Sequence, residues 1–181
     1  MYQDELATEL INNDLDRCNR MFEADNLPLP QLIWMPNEDD LPEESLKFIH
    51  KLWHQHCANG TPPYSIFTPE NLFPALGHII VLEVVDGGLD FKYRVYGTKI
   101  AEVSKFDMMG KSISEIPTAN AIQAFFFATY RAVLIKKQPL YTMHTPPITI
   151  TTKKWLRLIL PTIDENGDIT RLVAGNIPVK R

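Results

Sequence analysis

The side chains whose types and spacing could do chemistry gather in one stretch, His50-Lys51-Leu52-Trp53-His54-Gln55-His56-Cys57. In a helix, at about 100° per residue, His50, His54 and Cys57 fall within roughly 60° of one another. Imidazole nitrogens and a thiolate at i, i+4 and i+7 can reach one soft metal ion. No fourth ligand is evident, and paired histidines on a half-exposed helix are more often ordinary polar residues, so no metal is assigned. His56 falls within the apolar face and reads as a hydrogen-bonded packing residue. Catalytic patterns are missing: there is no Gly-x-Ser-x-Gly, no phosphate-binding loop, no dinucleotide fingerprint and no close carboxylate pair on the body. Lys111-Ser112-Ile113-Ser114-Glu115 reads as a capped helix start, and Asp164-Glu165-Asn166-Gly167-Asp168 as a hairpin turn lacking the full calcium-ligand series. Catalytic residues are therefore none, and the chain is not expected to be an enzyme.

The elements that must position these groups follow from periodicity. Tyr2 to Ala24 has Leu6, Leu10, Ile11, Leu15, Met21 and Phe22 at roughly helical spacing, and Leu27-Pro28-Leu29-Pro30 ends that helix. Pro36 keeps the next segment extended, and Trp34 pins this linker to the body. A second helix spans Pro42 to Ala58, stopped by Asn59-Gly60, with Leu46, Ile49, Leu52 and Trp53 on its buried face. Residues 61–77 form an irregular connection. Ile79–Val85 and Phe91–Tyr96 read as a hairpin around Asp86-Gly87-Gly88. Short helical pieces at Ile100–Val103 and Ser114–Ile116 precede a longer helix from Ala121 to Lys136. Three strands close the chain: Leu140–Thr145 continuing to Ile150, Lys154–Thr162 and Ile169–Val179, the last two joined at Asn166-Gly167.

At 181 residues and 45% apolar composition the chain can bury a proper core. No apolar run approaches the ~20 residues a membrane span needs, and the start lacks the order of a secretory signal. With Cys18 and Cys57 forming no motif, a reducing cytoplasm is the expected location. Residues 1–45 hold 12 acidic and 2 basic side chains, a balance of −10; the remainder holds 10 and 16, a balance of +6. The acidic leader is either a solvated helix or a segment docked on the basic body, its own or a dimer mate's. Scattered basic residues and a total charge of −4 argue against a nucleic-acid partner.

Leu72-Phe73-Pro74-Ala75-Leu76 before the hairpin, Phe91-Lys92-Tyr93-Arg94-Val95-Tyr96-Gly97-Thr98 at its end, Asp107-Met108-Met109-Gly110-Lys111, and Leu160-Pro161 occur in this order. Together with the element order they resemble the small PAS-like family common in alphaproteobacteria. The likeness covers roughly residues 42–178. It implies an α+β domain over 41–181, with a five-stranded antiparallel sheet, helices on one face and a pocket between them. Residues 1–40 remain an N-terminal acidic helical extension with a Pro-rich linker. Flavin-photoreceptor members carry a reactive cysteine in the short helices and oxygen-sensing haem members a histidine on the long helix. Residues 97–139 contain no Cys and residues 120–137 no His, so no cofactor is expected; His78 and His144 are the remaining haem candidates.

Alternation puts Phe91, Tyr93 and Val95 on one strand face and Leu156, Leu158 and Leu160 on another. If both face the long helix, Tyr93 and Tyr130 become the polar handles of a pocket walled by Val95, Phe126, Leu156 and Leu158. The same residues also fit a solid core. The resemblance thus points to a stand-alone sensory or adaptor domain that binds a small molecule and contacts a signalling partner, as a homodimer, with neither membrane nor nucleic acid involved. The rivals are a ligand-free homodimeric interaction module and an enzyme on a related α+β cavity fold.

Overall fold

The structure, a computed structural model, describes residues 2–57, 60–147 and 152–180. Helices α1 (Tyr2–Ile11) and α2 (Asp16–Ala24) lead into strand β1 (Gln31–Trp34) and helix α3 (Glu44–Gln55). The hairpin β2 (Ile79–Val85) and β3 (Asp90–Tyr96) is followed by α4 (Thr98–Ser104) and α5 (Asn120–Lys136). Strands β4 (Leu140–His144), β5 (Thr152–Thr162) and β6 (Arg171–Lys180) close the fold. All strand pairs are antiparallel, in the order β1-β4-β5-β6-β2-β3. The chain is α+β, as expected, with both hairpins where alternation placed them. The expected run of β4 to Ile150 and the helix end at Ala58 lie outside the described residues.

The sheet has six strands, not five. The extended linker after Pro30 supplies the extra one, pairing Gln31–Trp34 with Met143–Leu140 at the free side of β4. Unpaired backbone along a sheet edge is a standing liability, and a proline-flanked stretch already held extended is well suited to cover it.

Helices cover both faces of the sheet, not one. On one face α1, α2, α4 and α5 enclose a core with Ile80, Leu82, Phe91, Tyr93, Ile159 and Ala174. On the other, α3 sets Leu46, Ile49 and Trp53 against Val81, Leu156, Leu158, Leu160 and Val173. The Trp53 indole N–H donates to the Pro161 carbonyl at 2.8 Å. Gly175 makes this second layer possible. A Cβ there would meet Ile49 Cδ1 at 2.6 Å and Leu46 Cδ2 at 2.7 Å, so α3 rests on bare backbone.

The leader forms two helices where one was expected, because Asn13 turns the chain with φ 58° between them. α1 packs along α5 with Leu6 and Leu10 buried, and the ring of Phe22 meets Phe125 edge-on at 5.5 Å. Arg131 Nε donates to Asp4 Oδ1 at 3.1 Å, and Asp25 Oδ2 accepts from the backbone N–H of Ala121 at 2.8 Å, in the first turn of α5. Trp34 pins the linker as expected: its N–H donates to the Leu10 carbonyl at 2.9 Å, and Lys136 Nζ lies 4.3 Å from its ring centre. Acidic leader and basic body thus meet within one chain, through apolar packing more than charge. In urea unfolding, Leu10→Ala should cost about 2–5 kcal/mol, whereas Asp4→Asn, at an exposed ion pair, should cost far less. Equal effects would show that charge, not packing, holds the leader.

Candidate functional site

A cavity of about 370 Å³ opens at one end of the sheet, on the α5 face. Four strands supply its floor: Tyr96 ends β3, His144 ends β4, and Trp155 and Asn176 come from β5 and β6. Ile122 and Phe126 project from α5, and Ser104, Phe106 and Thr118 come from the segments flanking the short helices. Sheet register fixes the spacing of the polar groups. Thr142, Arg157 and Asn176 lie opposite one another across β4, β5 and β6, and His144 lies opposite Trp155.

The local backbone explains which side chains reach the cavity. Between β2 and β3 the register shifts, so that Val81 faces Val95 while Leu82 faces Tyr93. That bulge gives β3 one extra residue and reverses alternation beyond it. Val95 is turned outward, 41% exposed, and Tyr96 takes the inward position instead. The next residue, Gly97, then passes so close to Gly77 that a Cβ would collide with the Gly77 carbonyl. That carbonyl accepts from the N–H of Lys99 at 3.0 Å and so starts α4, which carries Ser104 to the cavity rim.

His144 and Asn176 are 3% and 7% exposed, and neither side chain has a hydrogen-bond partner among the described residues; Nδ1 of His144 and Oδ1 of Asn176 are wholly buried. An unpaired buried polar group costs about 1–3 kcal/mol, so two lining one cavity ask for a partner. Burial, then the nearby Arg157 charge, holds the His144 imidazole well below its ordinary pKa and keeps it neutral.

Arg157 lies behind this end of the cavity, 1% exposed. Its guanidinium donates to Thr142 Oγ1 at 3.3 Å, to the Tyr130 hydroxyl at 3.2 Å and to Thr129 Oγ1 at 2.9 Å. The ring centre of Phe126 is 4.0 Å from its central carbon and that of Tyr130 5.0 Å. Hydroxyls and ring faces stabilise the cation, yet no carboxylate pairs with it among the described residues.

Of the six side chains expected to form the pocket, the structure puts only Phe126 on the cavity wall. Val95 is outside, through the bulge. Leu156 and Leu158 belong to the opposite face, under α3. The residues of β5 that face α5 are Trp155, Arg157 and Ile159. Tyr93 and Tyr130 are buried beneath the cavity, and burial pushes the Tyr93 phenol well above its ordinary pKa. The residues sequence reasoning missed are Tyr96, Trp155 and Asn176. Asn176 carried a readable signal, a lone amide inside the apolar run Leu172–Ile177. His144 was singled out only for haem; the structure makes it part of the cavity.

On α3, the His50 and His54 rings meet edge-on with centres 4.6 Å apart, and Cys57 Sγ lies 3.7 Å from His54 Nδ1. No group of three or more His, Cys, Asp or Glu among the described residues is arranged to hold a metal ion. His56 is exposed instead of packed, bonded through Nδ1 to the Leu52 carbonyl at 2.9 Å, because α3 ends at Gln55 before its apolar face reaches that position. Ser112 and Glu115 do cap a turn, the Ser112 N–H donating to Glu115 Oε2 at 2.7 Å. Asp164 Oδ1 closes the β5–β6 hairpin by accepting from the backbone of Asn166 and Asp168. No helix among the described residues is long and apolar enough to cross a membrane. No model of a known protein family matches the sequence, and no curated protein matches it either.

Two outcomes follow from the buried groups. Tyr130→Phe removes an acceptor of a buried guanidinium and should destabilise the fold by about 1–3 kcal/mol; an unchanged urea midpoint would show that the hydroxyl is not needed there. His144, His50 and His78 all have lowered pKa values, each chiefly through burial, so below the ordinary value of 6.5 the unfolded chain binds more protons than the folded one. Stability should therefore fall as pH drops from 7.5 to 5.5, by up to about 1.4 kcal/mol per pH unit for the fully buried His144 and by less for His50 and His78, which solvent screens. His144→Asn should flatten that dependence in urea titrations at the two pH values.

Proposed function

We propose that this chain is a PAS-like sensory or adaptor module that binds a small molecule and presents the result to a partner protein. The cavity carries this reading, since it sets two unpartnered polar side chains among apolar and aromatic walls. The order of elements from β2 to β6, two strands, short helices, a long helix and three strands, supports the PAS-like assignment. A binding role is favoured over a catalytic one because the described residues of the cavity wall include neither Asp nor Glu to pair with its neutral histidine.

Helix α5 offers a route from ligand to output. It turns Ile122 and Phe126 to the cavity and Phe125 to the leader, whose Asp25 accepts from the α5 backbone. A ligand that fits one placement of α5 better than another would shift the leader with it, by no more than that difference in affinity.

Native mass spectrometry of freshly purified chain should show a retained small molecule, and Thr118→Trp, which fills the cavity from its half-buried rim, should remove it. An adduct that survives the substitution is bound elsewhere. No adduct, with Thr118→Trp melting higher than the parent, would favour a ligand-free interaction module.

A further inference from the structure

We propose that the cavity takes a small amphiphilic anion, a carboxylate on an aromatic or short aliphatic body, with its charged end at His144 and Asn176 in the field of Arg157. The inference rests on the ligand-binding reading above and names the ligand class for the same site.

Charge is the first argument. Arg157 is a fully buried cation whose partners are three hydroxyls and the faces of aromatic rings. Neutral partners do not cancel a buried charge, and its field extends far in a medium that screens poorly. The register sets Asn176 directly beside Arg157, and the Phe126 ring that covers the guanidinium is itself cavity wall. Among the described residues the one charged side chain on the wall is Lys105, also positive. The nearby Asp107 is exposed, and its carboxylate accepts from the Met109 backbone at 2.8 Å. An anion in the cavity therefore gains from both cations, whereas a cationic ligand is repelled.

Hydrogen bonding is the second. The unpaired buried atom of His144 is Nδ1, which in the neutral ring can carry the N–H, and the Asn176 amide nitrogen makes no hydrogen bond among the described residues. The buried Asn176 oxygen is itself an acceptor, so the nitrogen is the side a carboxylate engages. At the rim the Ser104 hydroxyl already donates to the Phe106 carbonyl at 3.1 Å, so the Tyr96 hydroxyl, 3.4 Å from Ser104 Oγ, is the donor there. A carboxylate has two oxygens to accept such donors. Apart from Thr118, the rest of the wall, with Phe106, Ile122, Phe126 and Trp155, is apolar, which suits an apolar remainder of the ligand. Its volume lies toward the small end of the usual range for ligand pockets, about 300–1,000 Å³.

The test is calorimetry on the full chain with two matched pairs, 4-phenylbutyrate against 4-phenylbutyramide and octanoate against octanamide. Each carboxylate should bind about tenfold or more tightly than its amide. Asn176→Asp places a carboxylate beside Arg157 from within the chain, so it should raise the melting temperature and weaken carboxylate binding about tenfold or more. Arg157→Met, which keeps an apolar stem and removes the charge, should abolish the preference for carboxylate while amide binding persists. Amides that bind as well as carboxylates would overturn the anion assignment and leave the pocket reading standing. No binding by either series at millimolar concentration would overturn both. Carboxylate binding that survives unchanged in Asn176→Asp, Arg157→Met and Thr118→Trp would place the anion outside this cavity and overturn the inference.

Discussion

Strand β5 is buried on both sides, and most of the architecture is a response to that. Leu156, Leu158 and Leu160 point one way, Trp155, Arg157 and Ile159 the other, and all six are at most 5% exposed. A central strand apolar on both pleats needs a layer over each face. One comes from α3, seated on the bare backbone of Gly175. The other is α5, itself so apolar that it needs the leader over its remaining surface: Phe125, Ala128 and Ala132 are buried alongside Leu6 and Leu10. The leader is thus the outermost of three layers on that side. Its acidic groups face solvent, pair within the leader as Glu5 and Glu9 do with Arg17, or reach the body as Asp25 does at the start of α5.

Arg157 is the exception within this apolar layering. Burying a guanidinium without an acid is costly, and the surroundings are built to reduce that cost: hydroxyls of α5 and β4 take its N–H groups, and aromatic faces cover the remainder. Its charge acts in turn on its neighbours. It adds to the burial that keeps His144 neutral, and sets a positive potential behind the end of the sheet where His144 and Asn176 lack partners among the described residues. The same group thereby fixes the fit of α5 onto the sheet and the electrical character of the cavity.

Much of the fold could be read from the sequence. The apolar, β-branched run Ile79–Val85, alternation in Phe91–Tyr96, the turn residues between strands and the helical spacing of Ile122, Phe125, Phe126 and Val133 each gave an element near its observed place. What alternation cannot say is which pleat faces which layer when both are apolar. Leu156 and Leu158 were therefore assigned to the α5 side although they lie under α3. Nor does it show a bulge: Val95 and Tyr96 exchange roles because one residue is added to β3, and no local residue type announces it. The polar groups were legible in a different way. Arg157 and Asn176 are strongly polar residues in apolar strands, and such placements mark a constraint that periodicity ignores. The strand at Gln31–Trp34 was hidden because its partner, β4, is more than a hundred residues away.

That added strand also covers backbone that another chain could otherwise pair with. At the far side of the sheet, β3 is closed by residues 110–112, with the Gly110 N–H bonded to the Tyr93 carbonyl and the Tyr93 N–H to the Lys111 carbonyl. At the near side β4 is closed by β1, four residues between Pro30 and Pro36. A chain nicked by a protease between β1 and α3 can shed that cover and leave β4 as a bare template for another strand. Clipped molecules would then be prone to recruit one another into polymers, so the linker doubles as a guard against self-assembly.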